Sequence, residues 1–205
     1  MFDATHPIAS FLDATAARQP APGGGSVTAL VGALSAAIGE MVLNYSVGKK
    51  NLAAHEPALQ AGLAELHRAR QIMLTLMVED QAAYEEVTAL RKLPDDSPDR
   101  QKNYPATLLA CIRVPEAMAA TGIAILELCG RLAEKVNKYL LSDLAVCAEL
   151  AMATVRCGLY NVAINLNDLA DARERERFEK LSAQMLAHAT SLVRGVLPRI
   201  WELAS

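Results

Sequence analysis

Between Val27 and Val47 the chain carries one charge, Glu40, in a run of small and aliphatic residues. A segment so long and apolar has two homes: a bilayer, which a helix of about 20 residues spans, or the middle of a helical bundle. Glu40 interrupts the run, and Gly32, Ser35 and Gly39 dilute it. Ala29, Ala33 and Ala37 recur at every fourth position, a ridge over which another helix can approach closely. The segment reads as a buried central helix of a protein without a membrane partner. Directly before it stand Gly23, Gly24, Gly25 and Ser26, the most flexible backbone in the chain set at the mouth of a helix.

The rest of the chain agrees with a helical bundle. Hydrophobic residues make up 52% of 205 residues but aromatics only 4%. The apolar content is therefore mostly Ala, Leu, Val, Ile and Met, with little period-two alternation. The expected fold class is all-α, one domain over 1–205 built from about six long helices. The first is expected over Pro7–Ala17, with Thr5 as a candidate cap. The others are expected over Ser26–Gly48, Pro57–Leu93, Asp99–Val136, Ser142–Leu169 and Ala172–Leu203. Gly48 reads as a C-terminal stop, and Pro105 and Pro115 are expected to kink or divide the fourth helix. Between Leu144 and Leu166 only Glu149 and Arg156 are charged. A helix apolar nearly all round is buried on most sides, and a second subunit is one way to bury it, so a homodimer is expected.

The net charge of -3 without a dense Lys/Arg stripe argues against nucleic acid as a partner. Cys111, Cys129, Cys147 and Cys157 form no CxxC pair. They read as reduced, mostly buried thiols of a cytoplasmic protein. His6, His55, His67 and His188 are scattered without an HExxH or Cys/His cluster, so no metal site is expected.

Five groups could carry chemistry. A helix start behind glycines offers unpaired N–H groups to a ligand oxygen or anion, so Gly23, Gly24, Gly25 and Ser26 are candidates; a plain capped turn reads equally well. Asp80 sits in a stripe with Met73, Met77, Tyr84 and Val87. A carboxylate there is expensive unless paired, which points to an acid/base, a counter-ion or a structural ion pair. Asn161 and Asn165 share one face of the most apolar helix, as a polar seam or as amides that read a heterocycle. Ser142 and Asp143 open the same helix, where a cap and a dipole-stabilising acid are ordinary. Asp143 and Asn161 lie about 27 Å apart along that helix, too far for one small ligand within a subunit. Lys49 and Lys50 follow Gly48 and could meet ligand carboxylates.

These residues in this order resemble the cyclodeaminase/cyclohydrolase family, which comprises the C-terminal domain of formiminotransferase-cyclodeaminase and the related methenyltetrahydrofolate cyclohydrolases. The matching pieces are Pro20–Val42, Gly48–Lys50, Glu79–Val87, Lys92–Pro94 and Val114–Pro115. They continue with Ala133–Asn137, Ser142–Asp143 and Asn161–Asn165. The resemblance implies an all-helical homodimer with a folate-binding groove near the subunit contact and neither metal nor redox cofactor. It implies one of two reactions. One is closure of 5-formiminotetrahydrofolate to 5,10-methenyltetrahydrofolate with release of ammonia; the other is hydrolysis of the methenyl compound to 10-formyltetrahydrofolate.

On this footing Asp80, and second to it Asp143, would be catalytic. Asn161 and Asn165 would orient the pterin edge or a water, the Gly23–Ser26 backbone would hold a ligand oxygen, Lys49 or Lys50 would meet the glutamate tail, and Asn137 and Ser142 would complete the substrate site. The chain departs from the family where a glycine is expected before Asn137 and a small polar residue two places on; Val136 and Tyr139 stand there. A Val does not readily copy a positive-φ glycine. The rival reading is therefore a non-catalytic folate-binding or scaffold protein of the same fold.

Overall fold

The computed structural model describes residues 1–204, and among them it contains helices and no strands. Six α-helices follow one another: α1 (Ile8–Ala16), α2 (Gly24–Asn44), α3 (Glu56–Arg91), α4 (Pro98–Leu132), α5 (Leu141–Leu166) and α6 (Ala172–Ala204). Two 3-10 turns, Lys50–His55 and Lys138–Leu140, lead into α3 and α5. Helix boundaries fall within a few residues of the sequence expectation, with informative differences. Pro7, not Thr5, is the cap residue of α1; the amide and hydroxyl of Thr5 both donate to Asp3. α2 ends at Asn44, and Gly48 takes a positive φ of 74° four residues later, where the chain reverses. α4 runs unbroken through Pro105 and Pro115.

α2 is the central helix. It lies antiparallel to α3, where Gly32 faces Met73 and Gly39 faces Leu66, and against α5, where the Ser35 hydroxyl donates to the Cys147 carbonyl at 2.8 Å. By length and composition alone, α2 and α4 are apolar enough to cross a membrane. In the fold Ala29 and Ala33 of the small-residue ridge of α2 are buried, whereas Ala37 is half-buried and its neighbour Ala36 takes the buried place. The main core joins Leu43 of α2, Leu59 and Leu66 of α3, Ile125 and Leu126 of α4, Met152 and Val155 of α5, and Val193 and Val196 of α6. Cys111, Cys129 and Cys147 are buried free thiols, and Cys157 is an exposed one.

α4 and α5 cross so closely that glycines are required. A Cβ on Gly158 would stand 2.8 Å from the Pro115 carbonyl oxygen, a backbone atom that cannot swing aside. Pro115 has no N–H to give the Cys111 carbonyl one turn earlier, and the Asn165 side-chain nitrogen of α5 donates to that carbonyl instead at 3.1 Å. Gly158→Ala should therefore destabilise the fold by about 1–3 kcal/mol, as overpacking does. Gly195→Ala, in the same bundle with open space around its Cβ position, should gain about 0.5–1 kcal/mol from helix propensity. Urea unfolding of the two variants checks the contrast.

Candidate active site

The glycine-rich segment ends as a helix start: Gly23 caps α2 in an extended conformation. The first turn of a helix directs unpaired N–H groups and a positive dipole end outward. What meets this end is Asp80 of α3. The buried Ser26 hydroxyl donates to Asp80 Oδ2 at 2.9 Å, and the Ser26 backbone N–H bonds the same carboxylate. A Cβ on Gly25 would lie 1.9 Å from Asp80 Oδ1. Gly25 is thus a glycine because a carboxylate occupies the space of its side chain. Burial pushes the Asp80 carboxyl above the ordinary carboxylate value, and the two bonds from Ser26 oppose that rise.

Asp80 opens onto a cleft of about 530 Å³ between α3, α4 and α5, floored by Gly23, Gly24 and Gly25. Asn161 and Asn165 line its α5 wall. The Asn161 amide nitrogen donates to the Cys157 carbonyl at 2.8 Å; that of Asn165 donates to the Asn161 and Cys111 carbonyls at 2.8 and 3.1 Å. With the nitrogens engaged in this way, each side chain has its Oδ1 as an acceptor. Cys111 lines the α4 wall, and desolvation raises its thiol to about 11, so it stays neutral near pH 7.

Three residues of this cleft, and a fourth beside it, were missed by sequence reasoning. Gln81, fully buried beside Asp80, accepts from the Phe2 amide at 2.7 Å and donates to the Phe2 carbonyl at 2.8 Å, strapping the N-terminal segment to α3. Arg91 stands at the far end of the cleft, its Nη2 2.5 Å from Asp168 Oδ2. Tyr104 donates to the same carboxylate oxygen at 3.4 Å. The one available signal was spacing. Arg91 follows Asp80 by three helical turns and so shares its face, but Gln81 and Asp168 meet the cleft, and Tyr104 meets Asp168, only through tertiary packing.

The other candidates lie elsewhere. Asn137 is tied to the far end of α2, its amide donating to Ser46 Oγ at 2.9 Å and its side chain accepting from Tyr139 N at 3.3 Å. Lys49 and Lys50 are at the same end, and Ser142 and Asp143 sit in the first turn of α5. α2 has 21 residues and spans about 30 Å. One chain therefore brings together Gly23, Gly24, Gly25, Ser26, Asp80, Asn161 and Asn165, and holds Lys49, Lys50, Asn137, Ser142 and Asp143 about a helix length away. No non-glycine residue has a positive φ among the described residues. Val136 avoids the glycine conformation by turning into the core, where it is buried. Tyr139 points out to solvent with the Lys138 ammonium 5.2 Å from its ring centre.

The family model described as formiminotransferase-cyclodeaminase matches residues 7–184. The chain belongs to that family. It is 30% identical over 190 residues to a methenyltetrahydrofolate cyclohydrolase of Methylorubrum extorquens, covering 90% of this chain and 91% of that one. It is 31% identical over 202 residues to a formimidoyltransferase-cyclodeaminase of Gallus gallus, covering 95% of this chain but 37% of that longer protein. The crystal structure of a formiminotetrahydrofolate cyclodeaminase from Thermotoga maritima superimposes with a TM-score of 0.82 at 28% identity, covering 98% of this chain and 96% of that one.

In this family member the half-buried position of Asp80 has a consequence that does not depend on any substrate. A carboxyl whose folded pKa is raised is less costly to bury when neutral. Its ionisation destabilises the fold at pH above the folded value, and that cost vanishes below the ordinary value of 3.8. Asp80→Asn keeps an acceptor for Ser26 and removes the charge. Thermal melts should show the variant more stable than the parent at pH 7, with the gain shrinking to nothing as the pH falls below about 4.

Proposed function

We propose that this chain is a folate one-carbon enzyme acting on the carbon that bridges N5 and N10 of tetrahydrofolate. It either hydrolyses 5,10-methenyltetrahydrofolate to 10-formyltetrahydrofolate or cyclises 5-formiminotetrahydrofolate with release of ammonia. The family and the named activities of its relatives support the substrate class. The observation that carries the chemistry is Asp80, a desolvated carboxyl held at a helix start on the wall of a cleft.

Both reactions pass through a tetrahedral carbon, and both need a proton removed from the attacking group and a proton delivered to the departing nitrogen. In hydrolysis water adds to the cationic methenyl carbon and releases one proton; the carbon–N5 bond then breaks as the new hydroxyl gives up its proton to become the formyl oxygen and N5 takes one. In cyclisation N10 attacks the formimino carbon and loses its proton, and the departing nitrogen leaves protonated as ammonia. A carboxyl raised towards the working pH can perform both transfers, and as a carboxylate it stabilises the cationic carbon. Asn161 and Asn165 supply acceptors for the N–H edge of the pterin or for the water, and the Gly23–Ser26 backbone borders the same pocket. No further cofactor enters this scheme.

The same proposal includes a homodimer. Leu34 of α2 and Val146, Tyr160 and Ile164 of α5 are exposed on one apolar face. A groove beside them, lined by Val27, Val31 and Ala153, joins the cleft at Gly24 and Asn161. A second copy of the chain would cover Leu34, Val27 and Val31, the apolar side of α2 that the bundle leaves partly open. Packed antiparallel, it would also carry its own Lys49, Lys50, Asn137, Ser142 and Asp143 towards the cleft. With that face covered, the reading is a one-domain cytoplasmic enzyme with neither membrane nor nucleic acid as partner.

Two measurements test the reading. Absorbance of 5,10-methenyltetrahydrofolate, corrected for spontaneous hydrolysis, should fall faster with the protein, and Asp80→Asn should slow that decay by about 100-fold or more. A chain inert on this compound but active on 5-formiminotetrahydrofolate is a cyclodeaminase, and inertness on both refutes the enzyme reading. Light scattering should give a dimer for the parent chain and a monomer for Leu34→Glu; a monomeric parent refutes the dimer.

A further inference from the structure

The cleft is longer than the reacting centre requires, and its far end is charged. Asp80 and Arg91 lie on one face of α3, about 16 Å apart along the axis. Between them the walls turn apolar: Ala83 and Tyr84 on α3, Val114 on α4 and Ile164 on α5 line the same cavity. Tyr84 and Ile164 are exposed although large and hydrophobic, as a stacking platform would be. Asp168 accepts from Nη2 of Arg91, and Tyr104 bonds Asp168 and stands against the guanidinium, so the two hold Arg91 from the side. Cys111 lies within reach of both ends, for the charges of Arg91 and Asp80 both act on its thiol.

Resting on the substrate reading above, we infer that Arg91 receives the glutamate carboxylate of the folate, with the aminobenzoyl ring held between Tyr84, Val114 and Ile164. A folate with its one-carbon bridge at Asp80 extends in one direction as an aromatic ring, an amide and then a carboxylate. Those groups bridge most of the interval from Asp80 to Arg91. The pterin edge, in contrast, lies close to the bridge and has its partners in Asn161 and Asn165. Arg suits the role, because its planar fork matches a carboxylate and its charge does not titrate. The pair with Asp168 is half exposed and contributes little stability of its own, so a second carboxylate can share the guanidinium. Lys49 and Lys50, the sequence-based candidates for this role, are a helix length away in the same chain.

The test compares 5,10-methenyltetrahydrofolate with the corresponding tetrahydropteroate, which lacks the glutamate, as substrates and as ligands in calorimetry. The parent should favour the glutamate-bearing compound by about tenfold or more in KM and in Kd, the order of one charge-assisted contact. Arg91→Gln should bring that ratio close to one, chiefly through KM, and Arg91→Lys should restore part of it. A purely structural role would weaken both compounds alike and leave the ratio standing, which overturns the inference. It is also overturned if the ratio survives Arg91→Gln and collapses instead in a Lys49→Gln, Lys50→Gln double variant. If the parent turns over neither compound, the reaction assignment falls, and the Kd ratio alone decides for or against Arg91. Thermal melts of Arg91→Gln establish that the variant is folded.

Discussion

Asp80 packs its carboxylate where the side chain of residue 25 would otherwise be, and much of the architecture follows from that contact. The N-terminal turn of α2 supplies the Ser26 hydroxyl and amide, and a glycine at 25 admits the acid. The bonds to Ser26 and the positive end of the helix favour the charged form, and burial disfavours it. Burial prevails, and the outcome is a carboxyl able to change protonation without leaving its place. Such a balance is what acid/base chemistry at a bridging carbon needs, and it is bought with stability at neutral pH.

The same contact explains the length and apolarity of α2. To carry its N-terminus to Asp80, α2 must cross the middle of the bundle between α3 and α5, so one half of its surface is small and buried. Its other side is apolar and partly open beside the site, with Leu34 exposed and Val27 and Val31 half-buried. One helix thus binds the position of the acid to the exposed face: whatever covers α2 also borders the cleft. The close α4–α5 crossing at Gly158 serves the same geometry from the opposite side, bringing Cys111 and Val114 against the wall that carries Asn161 and Asn165.

Much of this was legible beforehand. The helices, the buried run in α2, the shared face of Asn161 and Asn165 and the exceptional position of Asp80 all follow from periodicity. What periodicity could not supply was the partner of Asp80. The glycines at 23–25 suggested an open helix end awaiting a ligand, whereas the protein's own carboxylate already meets that end. Nor could it reveal that Pro115 sits inside a continuous helix. Proline's local cost is fixed, but the donor that satisfies the carbonyl it leaves free is Asn165, fifty positions further along the chain. The Val136 substitution looked disruptive because its neighbours were unknown; burial in the core gives it an ordinary backbone.

The sequence by itself determined the helical class, the element order and the residues with unusual local demands, because helix periodicity and backbone sterics act over a few residues. Tertiary structure alone decided which of those residues meet. It joined Gly25, Ser26, Asp80, Asn161 and Asn165 at one end of the bundle, added Gln81, Arg91 and Asp168, and left Lys49, Lys50, Asn137 and Asp143 at the other. The physical reason is that long helices are rigid rods. The direction in which each one runs sets what stands opposite its ends, and that direction is fixed by close contacts between residues far apart in the chain.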